Sequence, residues 1–307
     1  VTMAERDFIA QHLVPLATSA AARGLGDDAA VWVPPLGRDL VFTHDVLAAG
    51  IHYLPTDPPS DIAWKLIAVN LSDLAAMGAK PAGVLLGLGF SAAEDDAWRA
   101  AFTSGLGRVL AHFDIELWGG DTISGLDRAV LGLTAIGHVA PGQALSRSGA
   151  QIGDEIWVSG CVGDAGLGLA MAKGLLPVDK RLVDRFRRPA PRLALGRALV
   201  GSATACMDIS DGLLIDADRM GRASRALLAI DIGAVPVPAG ADRLTSVTAG
   251  DDYELLFTAP AAAEIDALAA ATNTPVTRIG SVVAGLGVTA LGNGRDVTPV
   301  RLGWEHR

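Results

Sequence analysis

The residues of this chain that are best suited to chemistry are six aspartates in five short motifs rich in Gly, Ser and Thr. They are Asp28, Asp45, Asp73, Asp121, Asp208 and Asp211. Carboxylates brought close together repel one another unless cations neutralise them, and Mg²⁺ that also binds phosphate oxygens is a common neutralising ion. If the fold gathers these side chains, the pattern predicts a site that handles phosphate groups with magnesium.

Two of the motifs lie next to predicted strands in the first fifty residues. Gly26-Asp27-Asp28 precedes the apolar run AAVWV at 29–33, although a solvated turn is the simpler interpretation of the motif by itself. At 43–45, strand alternation puts Thr43 and Asp45 on one face and His44 on the other. A hydroxyl and a carboxylate on one face suit Mg²⁺.

Asp73 and Asp121 stand in very different surroundings. Asp73 interrupts the apolar helical stretch NLSDLAAMGAK, where an unpaired buried charge would be costly, so we expect it to be paired or metal-bound. Asp121 follows Gly119 and Gly120 directly after a predicted strand, which would let the backbone approach a ligand closely. An ordinary turn would give the same three residues.

The segment Met207–Gly212 places two aspartates and Ser210 at a predicted junction from strand to helix. A helix-capping role for Ser210 or Asp211 is the simpler interpretation, and an oxygen-rich metal or nucleotide contact is the functional one. The Ser-Asp pair at 72–73 recurs at 210–211 after the same polar-aliphatic dipeptide pattern, which favours the functional interpretation.

Two other types of phosphate chemistry are disfavoured. The nearest approach to a P-loop is 163–168, but Leu169 and Ala170 stand where Lys and Ser/Thr are needed. The run 213–218 resembles an aspartyl-phosphatase loop, but it has a helical pattern and lacks the following Thr or Val.

At 307 residues, the chain is long enough for two medium domains, and its alternation of strand and helix patterns indicates an α/β or α+β fold. The Gly-, Ser- and Pro-rich stretch 141–153 is the predicted boundary. We therefore expect one domain over 1–140 and another over 150–307. The predicted elements include a kinked helix over 4–22, strands at 29–33, 39–44, 83–90 and 253–258, and a helix capped by Ser60-Asp61.

Composition excludes several classes of partner and site. A formal net charge of −9 argues against nucleic acid as a ligand, because such binding relies on clustered Lys and Arg. Cys161 and Cys206 are isolated, which predicts buried free thiols rather than zinc ligands or a disulfide. The sequence shows neither a signal-peptide pattern nor an apolar run that could span a bilayer, so we expect a soluble cytoplasmic protein.

Taken in order, the motifs resemble those of the thiamine-monophosphate kinases, which belong to a superfamily with aminoimidazole-ribonucleotide synthetase and selenophosphate synthetase. The resemblance covers nearly the whole chain. It implies an N-terminal mixed-sheet domain that forms a homodimer and a C-terminal α/β domain that closes over the nucleotide. The matching segments are GLGDDAAV at 24–31, THDVLAAGIHY at 43–53, WKLIAVNLSDLAAMGAKP at 64–81, WGGDT at 118–122, LSRSGAQIGD at 145–154, MDISDGL at 207–213 and GDDYELLF at 250–257.

The resemblance also implies roles for individual residues in the transfer of phosphate from ATP to thiamine monophosphate. ATP would contact Gly120, Asp121, Arg147 and Ser210, and thiamine monophosphate would contact His52, Asp251 and Trp304. Several magnesium ions would be held by Asp28, Thr43, His44, Asp45, Asp73, Asp121, Asp208 and Asp211.

Three positions depart from the family pattern. His44 replaces the usual Thr or Ser, and imidazole is a poor ligand for Mg²⁺, so a metal contact there is expected through a backbone carbonyl or water, or is lost. Asp251 stands where Glu is common and is one methylene shorter. Ala48-Ala49-Gly50 replaces the usual Val-Glu-Gly before the substrate histidine.

The chemistry agrees with this resemblance. A phosphate monoester has a second pKa of ~6, so the acceptor is already an anionic nucleophile and needs no general base. Two alternatives stay open: a superfamily enzyme with another acceptor, and a non-catalytic module that binds magnesium and nucleotide. The N-terminal Cys expected of a selenophosphate synthetase is absent, since both cysteines lie beyond residue 160.

Overall fold

The structure, a computed structural model, describes residues 3–305 and divides into two compact units. The N-terminal unit comprises the chain up to Leu74 together with Lys80–Pro141. The C-terminal unit comprises Ala75–Ala79 and the chain from Gly142 onward. The functional roles expected of the two domains, 1–140 and 150–307, stay predictions.

A mixed four-stranded sheet forms the centre of the N-terminal unit. Its strands are β1 (Asp39–Ala48), β2 (Lys80–Ser91), β3 (Glu116–Leu126) and β4 (Val130–Val139), in the spatial order β1-β4-β2-β3. β4 is antiparallel to β1 and β2, whereas β2 and β3 are parallel and are joined by a helix. The two long helices are α2 (Pro59–Ala76) and α3 (Asp96–Phe113).

The N-terminal segment is not the single kinked helix expected over 4–22. A short helix α1 (Glu5–Phe8) continues as a π-helical turn (Ile9–Leu13) and a 3₁₀ turn (Val14–Leu16), and a separate 3₁₀ segment covers Ala20–Leu25. Pro15 has no backbone N–H to continue the helix. Phe8 anchors the segment by packing edge-to-face on Phe90, with ring centroids 5.7 Å apart.

Two further expectations for this unit were wrong. Residues 29–33 form no strand: the run packs through alternate side chains, with Trp32 against Trp118 at 4.9 Å between ring centroids, and does not pair along a strand edge. Helix α2 begins at Pro59, so Ser60 and Asp61 lie inside its first turn and do not cap it.

The C-terminal unit is built on a seven-stranded sheet with the order β11-β10-β7-β9-β5-β8-β6. β7 and β10 run parallel, and the other neighbouring strands are antiparallel. The strands are β5 (Glu155–Ser159), β6 (Ala205–Asp208), β7 (Leu227–Asp231), β8 (Leu255–Ala259), β9 (Val276–Val283), β10 (Gly287–Gly292) and β11 (Arg295–Asp296).

Helices pack on both faces of this sheet. One buried cluster joins the sheet to Leu214 and Met220, and a second joins Phe257 to Leu195 and Ile265. Within residues 3–305, no helix has the length and apolar character needed to cross a membrane. The helices are α4 (Asp164–Ala172), α5 (Lys180–Arg187), α6 (Leu193–Ala198), α7 (Leu213–Ser224), α8 (Arg243–Val247) and α9 (Ile265–Ala271).

Candidate functional site

Asp28 and Asp121 line the same cavity of about 400 Å³ in the N-terminal unit. Asp28 stands in the loop after the last 3₁₀ segment, and Asp121 lies on β3. The rest of the wall is mostly apolar, with Leu85 and Trp118 among its side chains. The cavity thus combines carboxylates with an apolar wall, which suits a ligand that is part phosphate and part ring.

The position of Gly120 requires glycine for a reason that lies within the sheet. Its φ is +152°, and a Cβ at this position would lie 2.8 Å from the carbonyl carbon of Leu86 and closer still to the carbonyl oxygen. Leu86 is its direct partner on β2. The close approach that requires glycine is therefore made to the neighbouring strand, and this pairing sets where Asp121 emerges.

Two hydrogen bonds join β1, which carries Thr43 and Asp45, to α2, which carries Asp73. The Thr43 hydroxyl donates a short hydrogen bond to the Asp73 carboxylate, and the Asp45 backbone N–H donates to Asn70 Oδ1 at 3.0 Å. Asn70 and Asp73 are one helical turn apart, so they present their side chains on one face. Asp73 is therefore paired, as its apolar surroundings predicted.

His44 and His52 are oriented by neighbours within the N-terminal unit. His44 Nδ1 lies 2.9 Å from the Thr134 hydroxyl on β4, on the exposed face of β1 and opposite Thr43. The ring is thus directed away from the Asp73 side, which agrees with the alternation. His52 Nδ1 accepts the backbone N–H of Ala48 at 3.0 Å, which places the proton of a neutral ring on Nε2.

In the C-terminal unit, Asp208 ends β6, and Ser210 and Asp211 lie in the turn that leads to α7. Neither Ser210 nor Asp211 caps the helix. The N-cap position is Gly212, with φ +126°. Instead, the Asp216 carboxylate reaches back from the first turn of α7 and accepts the N–H groups of Ser210 and Asp211, each at 3.1 Å. The turn is therefore shaped by a buried acid that the sequence analysis did not select.

Two backbone hydrogen bonds bring the predicted substrate residues to this turn. The Ser210 carbonyl accepts the N–H of Asp251, and the Asp211 carbonyl accepts the N–H of Trp304, both at 2.8 Å. Asp251 and Tyr253 have φ of +70° and +52°, which delays β8 to Leu255 where a strand from 253 was expected. Four residues predicted from three distant motifs, Ser210, Asp211, Asp251 and Trp304, thus lie together.

Arg147 lies in an exposed segment that is fastened to β6 and α7. The backbone carbonyl of Ser146 accepts a hydrogen bond from the N–H of Cys206 on β6 at 2.8 Å. The hydroxyl of Ser224 on α7 accepts hydrogen bonds from the N–H groups of Gly149 and Ala150. The Arg147 side chain is exposed. Its backbone is therefore fixed, and its guanidinium is accessible to a ligand.

Arg219 connects Asp211 to Asp216. Its Nη1 lies 2.6 Å from Asp211 Oδ2 and 2.7 Å from Asp216 Oδ1. Burial raises the pKa of Asp216 to about 6, although the hydrogen bond from the Asp211 amide and the Arg219 charge both oppose this rise. Asp216 is therefore buried at a position where its negative charge is unfavourable, and the two amides of the turn are among the groups that stabilise it there.

A second buried acid, Glu254, anchors the loop that carries Asp251. Its carboxylate accepts hydrogen bonds from Arg185 and Arg192 and from the Ser159 hydroxyl. Its carbonyl accepts the N–H of Ile209 at 2.8 Å. Ion pairs therefore connect the loop before β8 to α5, and a backbone hydrogen bond connects it to the turn after β6.

The glycine-rich segment 163–168, which lacks the Lys and Ser/Thr of a P-loop, binds the side chain of Asp252. Asp252 Oδ2 accepts the N–H of Gly163 at 2.6 Å, and Oδ1 accepts that of Ala165 at 3.1 Å, at the start of α4. A carboxylate of the protein thus occupies the place where a P-loop would hold a phosphate. Desolvation raises the pKa of Asp252 well above its usual range, and the two N–H groups oppose this.

The donors found here fit magnesium that arrives with a nucleotide. Among residues 3–305, no group of three or more His, Cys, Asp or Glu side chains could hold a metal ion. The oxygens occur in smaller sets, such as Thr43 with Asp73 and, around the cavity, Asp28 with Asp121. Mg²⁺ typically binds one or two carboxylates and completes its octahedron with waters and phosphate oxygens, so such sets suffice.

Several residues that the sequence did not indicate support the predicted site residues. They share one feature: each binds backbone N–H groups or the charged side chains of other residues. Asp216, Arg219, Asp252 and Glu254 are of this kind. A carboxylate in an otherwise apolar run, as at Asp216 in LLIDA, was the available signal. The partner of such a residue could not be read from the sequence.

Comparison with known proteins gives a consistent result. Residues 26–139 match the family model described as AIR synthase related protein, N-terminal domain. The thiamine-monophosphate kinase of Caulobacter vibrioides is 39% identical over 318 residues, which cover 98% of this chain and 90% of the relative.

Two solved structures extend the similarity to the whole fold. The thiamine-monophosphate kinase of Stenotrophomonas maltophilia K279a has a TM-score of 0.85 at 38% identity, covering 96% of this chain and 99% of the other. The structure of AaThiL complexed with AMPPCP and TMP has a TM-score of 0.78 at 28% identity, covering 100% and 99%.

Proposed function

The chain belongs to the thiamine-monophosphate kinase family, and we propose that it transfers the γ-phosphate of ATP in line to thiamine monophosphate with the help of several magnesium ions. The coarser activity, ATP-dependent phosphorylation of thiamine monophosphate, follows from family membership at 39% identity over 98% of the chain. The complex of AaThiL with AMPPCP and TMP supports these two substrates. Identity along nearly the whole chain is the observation that carries the proposal.

The obstacle in this reaction is the repulsion between two anions. The acceptor phosphate is mostly ionised at neutral pH, so the protein needs to position and neutralise it rather than deprotonate it. Bound Mg²⁺ would supply the positive charge that neutralises donor and acceptor. The protein's own part is to hold the carboxylates, to fix the two substrates and to exclude water.

In the N-terminal unit, we assign the metal-binding role to the aspartates already described. Asp28 and Asp121 would hold ions beside the 400 Å³ cavity, where Gly120 and Asp121 would contact ATP. Asp45 and Asp73 would act on the β1–α2 side with the Thr43 hydroxyl. The His44 ring points to the other face, so a metal contact at 44 would use its backbone carbonyl or water.

In the C-terminal unit, we assign Asp208 and Asp211 to metal binding and Ser210 to ATP. Asp251 and Trp304, which are tied by backbone to the same turn, would contact thiamine monophosphate. Trp304 is 49% exposed and could stack on an aromatic ring of the substrate. The remaining assigned residues are Arg147 for an ATP phosphate and His52, through Nε2–H, for thiamine monophosphate.

A homodimer formed through the N-terminal sheet is part of the proposal. The outer face of β1 exposes Phe42 (63%) and Val46 (41%), and exposed apolar side chains on one face of a sheet favour a protein contact. We place the enzyme in the cytoplasm. Light scattering of the purified protein, compared with a Phe42→Asp variant, tests the dimer, which the substitution should dissociate.

The activity test uses purified protein, ATP, thiamine monophosphate and Mg²⁺, with chromatographic detection of thiamine diphosphate. Asp121→Asn should lower kcat at least about a hundredfold with little change in Tm, since it removes charge from the reacting centre. Asp127→Asn, in the exposed turn between β3 and β4, is the matched control and should behave as wild type.

The alternatives give different results in the same assay. Absence of Mg²⁺-dependent thiamine diphosphate from the wild-type protein would defeat the proposal. A non-catalytic module would bind ATP without turnover, and its Asp121→Asn variant would change in stability but in no rate. A superfamily enzyme with another acceptor would leave thiamine monophosphate unchanged and consume ATP only when that acceptor is added.

A further inference from the structure

Arg219 is shared between a carboxylate of the proposed site and a carboxylate of the core. A single nitrogen, Nη1, lies 2.6 Å from Asp211 Oδ2 and 2.7 Å from Asp216 Oδ1. The three side chains carry a formal charge of −1 together. The arginine therefore already supplies Asp211 with the positive charge that a metal ion would supply.

The carboxylates of Asp211 and Asp216 differ in burial and in the number of hydrogen bonds that fix them. Asp216 is completely buried on α7, three residues from Arg219, and its Oδ2 is fixed by two loop amides. Asp211 is on the turn and retains 23% of its side-chain exposure, while Arg219 retains 38%. An approaching cation would thus reach Asp211 from solvent, whereas Asp216 is closed to it.

We propose that Arg219 is a positioning residue that competes with a divalent cation for the Asp211 carboxylate, while Asp216 retains the guanidinium as the cation binds. This inference rests on the proposed role of Asp211 as a metal ligand. It explains why a buried acid is kept beside the turn. Because Arg219 can release Asp211 and stay on Asp216, the exchange leaves no buried charge unpaired.

The competition has a functional consequence. A cation that binds Asp211 must displace Arg219, so its binding free energy is less favourable than it would be without the arginine. We therefore expect a cation to bind here only when the phosphates of the nucleotide supply further ligands. The turn keeps its shape during the exchange, because the amides of Ser210 and Asp211 remain on Asp216 Oδ2. Ser210 would therefore stay in position for ATP with or without the ion.

The test is Mn²⁺ binding to the full-length protein with AMPPCP, followed by the electron paramagnetic resonance signal of free Mn²⁺. Arg219→Gln should tighten the weakest Mn²⁺ site about fivefold, the scale of an ion pair that is partly exposed. Arg222→Gln is the matched control, because Arg222 pairs with Asp218 on the exposed side of the same helix, and it should leave binding unchanged. Asp211→Asn should remove the site, and adding Arg219→Gln to it should restore nothing.

An Arg219→Gln variant with wild-type or weaker Mn²⁺ affinity would overturn the inference, as would an Asp211→Asn variant that binds as many ions as wild type. Circular dichroism checks that each variant is folded. If Arg219→Gln does not fold, Arg219→Lys decides. The lysine Nζ ends one bond short of the position of Nη1, so it should hold Asp211 less closely and should still tighten Mn²⁺ binding about twofold. Failure of the proposed kinase function would be seen separately, as absence of thiamine diphosphate from wild type.

Discussion

Gly120 offers a sharp test of how the N-terminal sheet positions the proposed metal-binding aspartate. In Gly120→Ala, the added Cβ would lie 2.8 Å from the carbonyl carbon and 2.9 Å from the nitrogen of Leu86. These are atoms of the paired backbone, so no side-chain rotation can relieve the overlap. The strands β2 and β3 would have to separate locally, and Asp121 would move with β3.

The size of the effect follows from two contributions. Forcing an alanine to a φ of +152° costs about 1–3 kcal/mol, and overpacking against the neighbouring strand costs a further ~1–3 kcal/mol. The expected loss is therefore about 2–6 kcal/mol in the free energy of unfolding. For a chain of 307 residues, even the lower value should reduce Tm by about 3 °C.

Gly119→Ala is the matched control, one residue away on the same strand. There, the added Cβ would meet only the Leu85 side chain, at 3.4 Å, which is an ordinary contact. Its Tm should stay within about 2 °C of wild type. Calorimetry of the three proteins gives the comparison, and KM for ATP should rise only in Gly120→Ala. Equal melting temperatures for the two variants would refute the argument from backbone proximity.

Three further expectations concern buried groups of the C-terminal unit. Glu254→Gln should lower the free energy of unfolding, measured in urea, by about 3–5 kcal/mol, because two arginines lose a buried counter-charge. Glu155→Gln is the control: its ion pair with Arg278 is partly exposed, so the loss should be under ~1 kcal/mol. Equal losses for the two variants would contradict this expectation. Desolvation raises the pKa of Asp252 in the folded state well above the usual carboxyl value of 3.8, so its stabilising effect is fully present below that value and is lost as the pH rises through the folded-state pKa. The stability advantage of wild type over Asp252→Asn, measured by urea unfolding, should therefore shrink progressively as the pH rises above 3.8, and a constant difference would argue against it. Burial raises the pKa of Cys161 to about 12 and also raises the pKa of Cys206. Iodoacetamide at pH ~8 should therefore alkylate both thiols far more slowly in the folded than in the urea-unfolded protein, as mass spectrometry would show.

The cysteines also show the limit of compositional argument. Isolation in the sequence predicted two free thiols, and both are free. Cys206 is buried as expected, but Cys161 is only partly buried, because it lies in the loop that leads into α4. Its burial depends on what packs over that loop, and this is a tertiary property.

Local patterns predicted most elements whose cause is local. Alternation along β1 gave the correct sides for Thr43 and His44, and the helical pattern of 213–218 was correct for α7. The apolar run 29–33 looked like a strand but found no edge to pair with. The failure is physical: side-chain alternation reports a half-buried extended segment, whereas a strand also needs a neighbour for its hydrogen bonds.

The sequence by itself determined the family, because seven short motifs in the same order along nearly the whole chain are far more specific than any one of them. It also predicted oxygen donors for metal ions and a reaction that needs no general base. Only the tertiary structure showed that Asp216, Arg219 and Glu254 hold the residues named by those motifs. Such supports act through backbone amides and through charge at short range. Both depend on distance in space, which spacing along the chain does not encode.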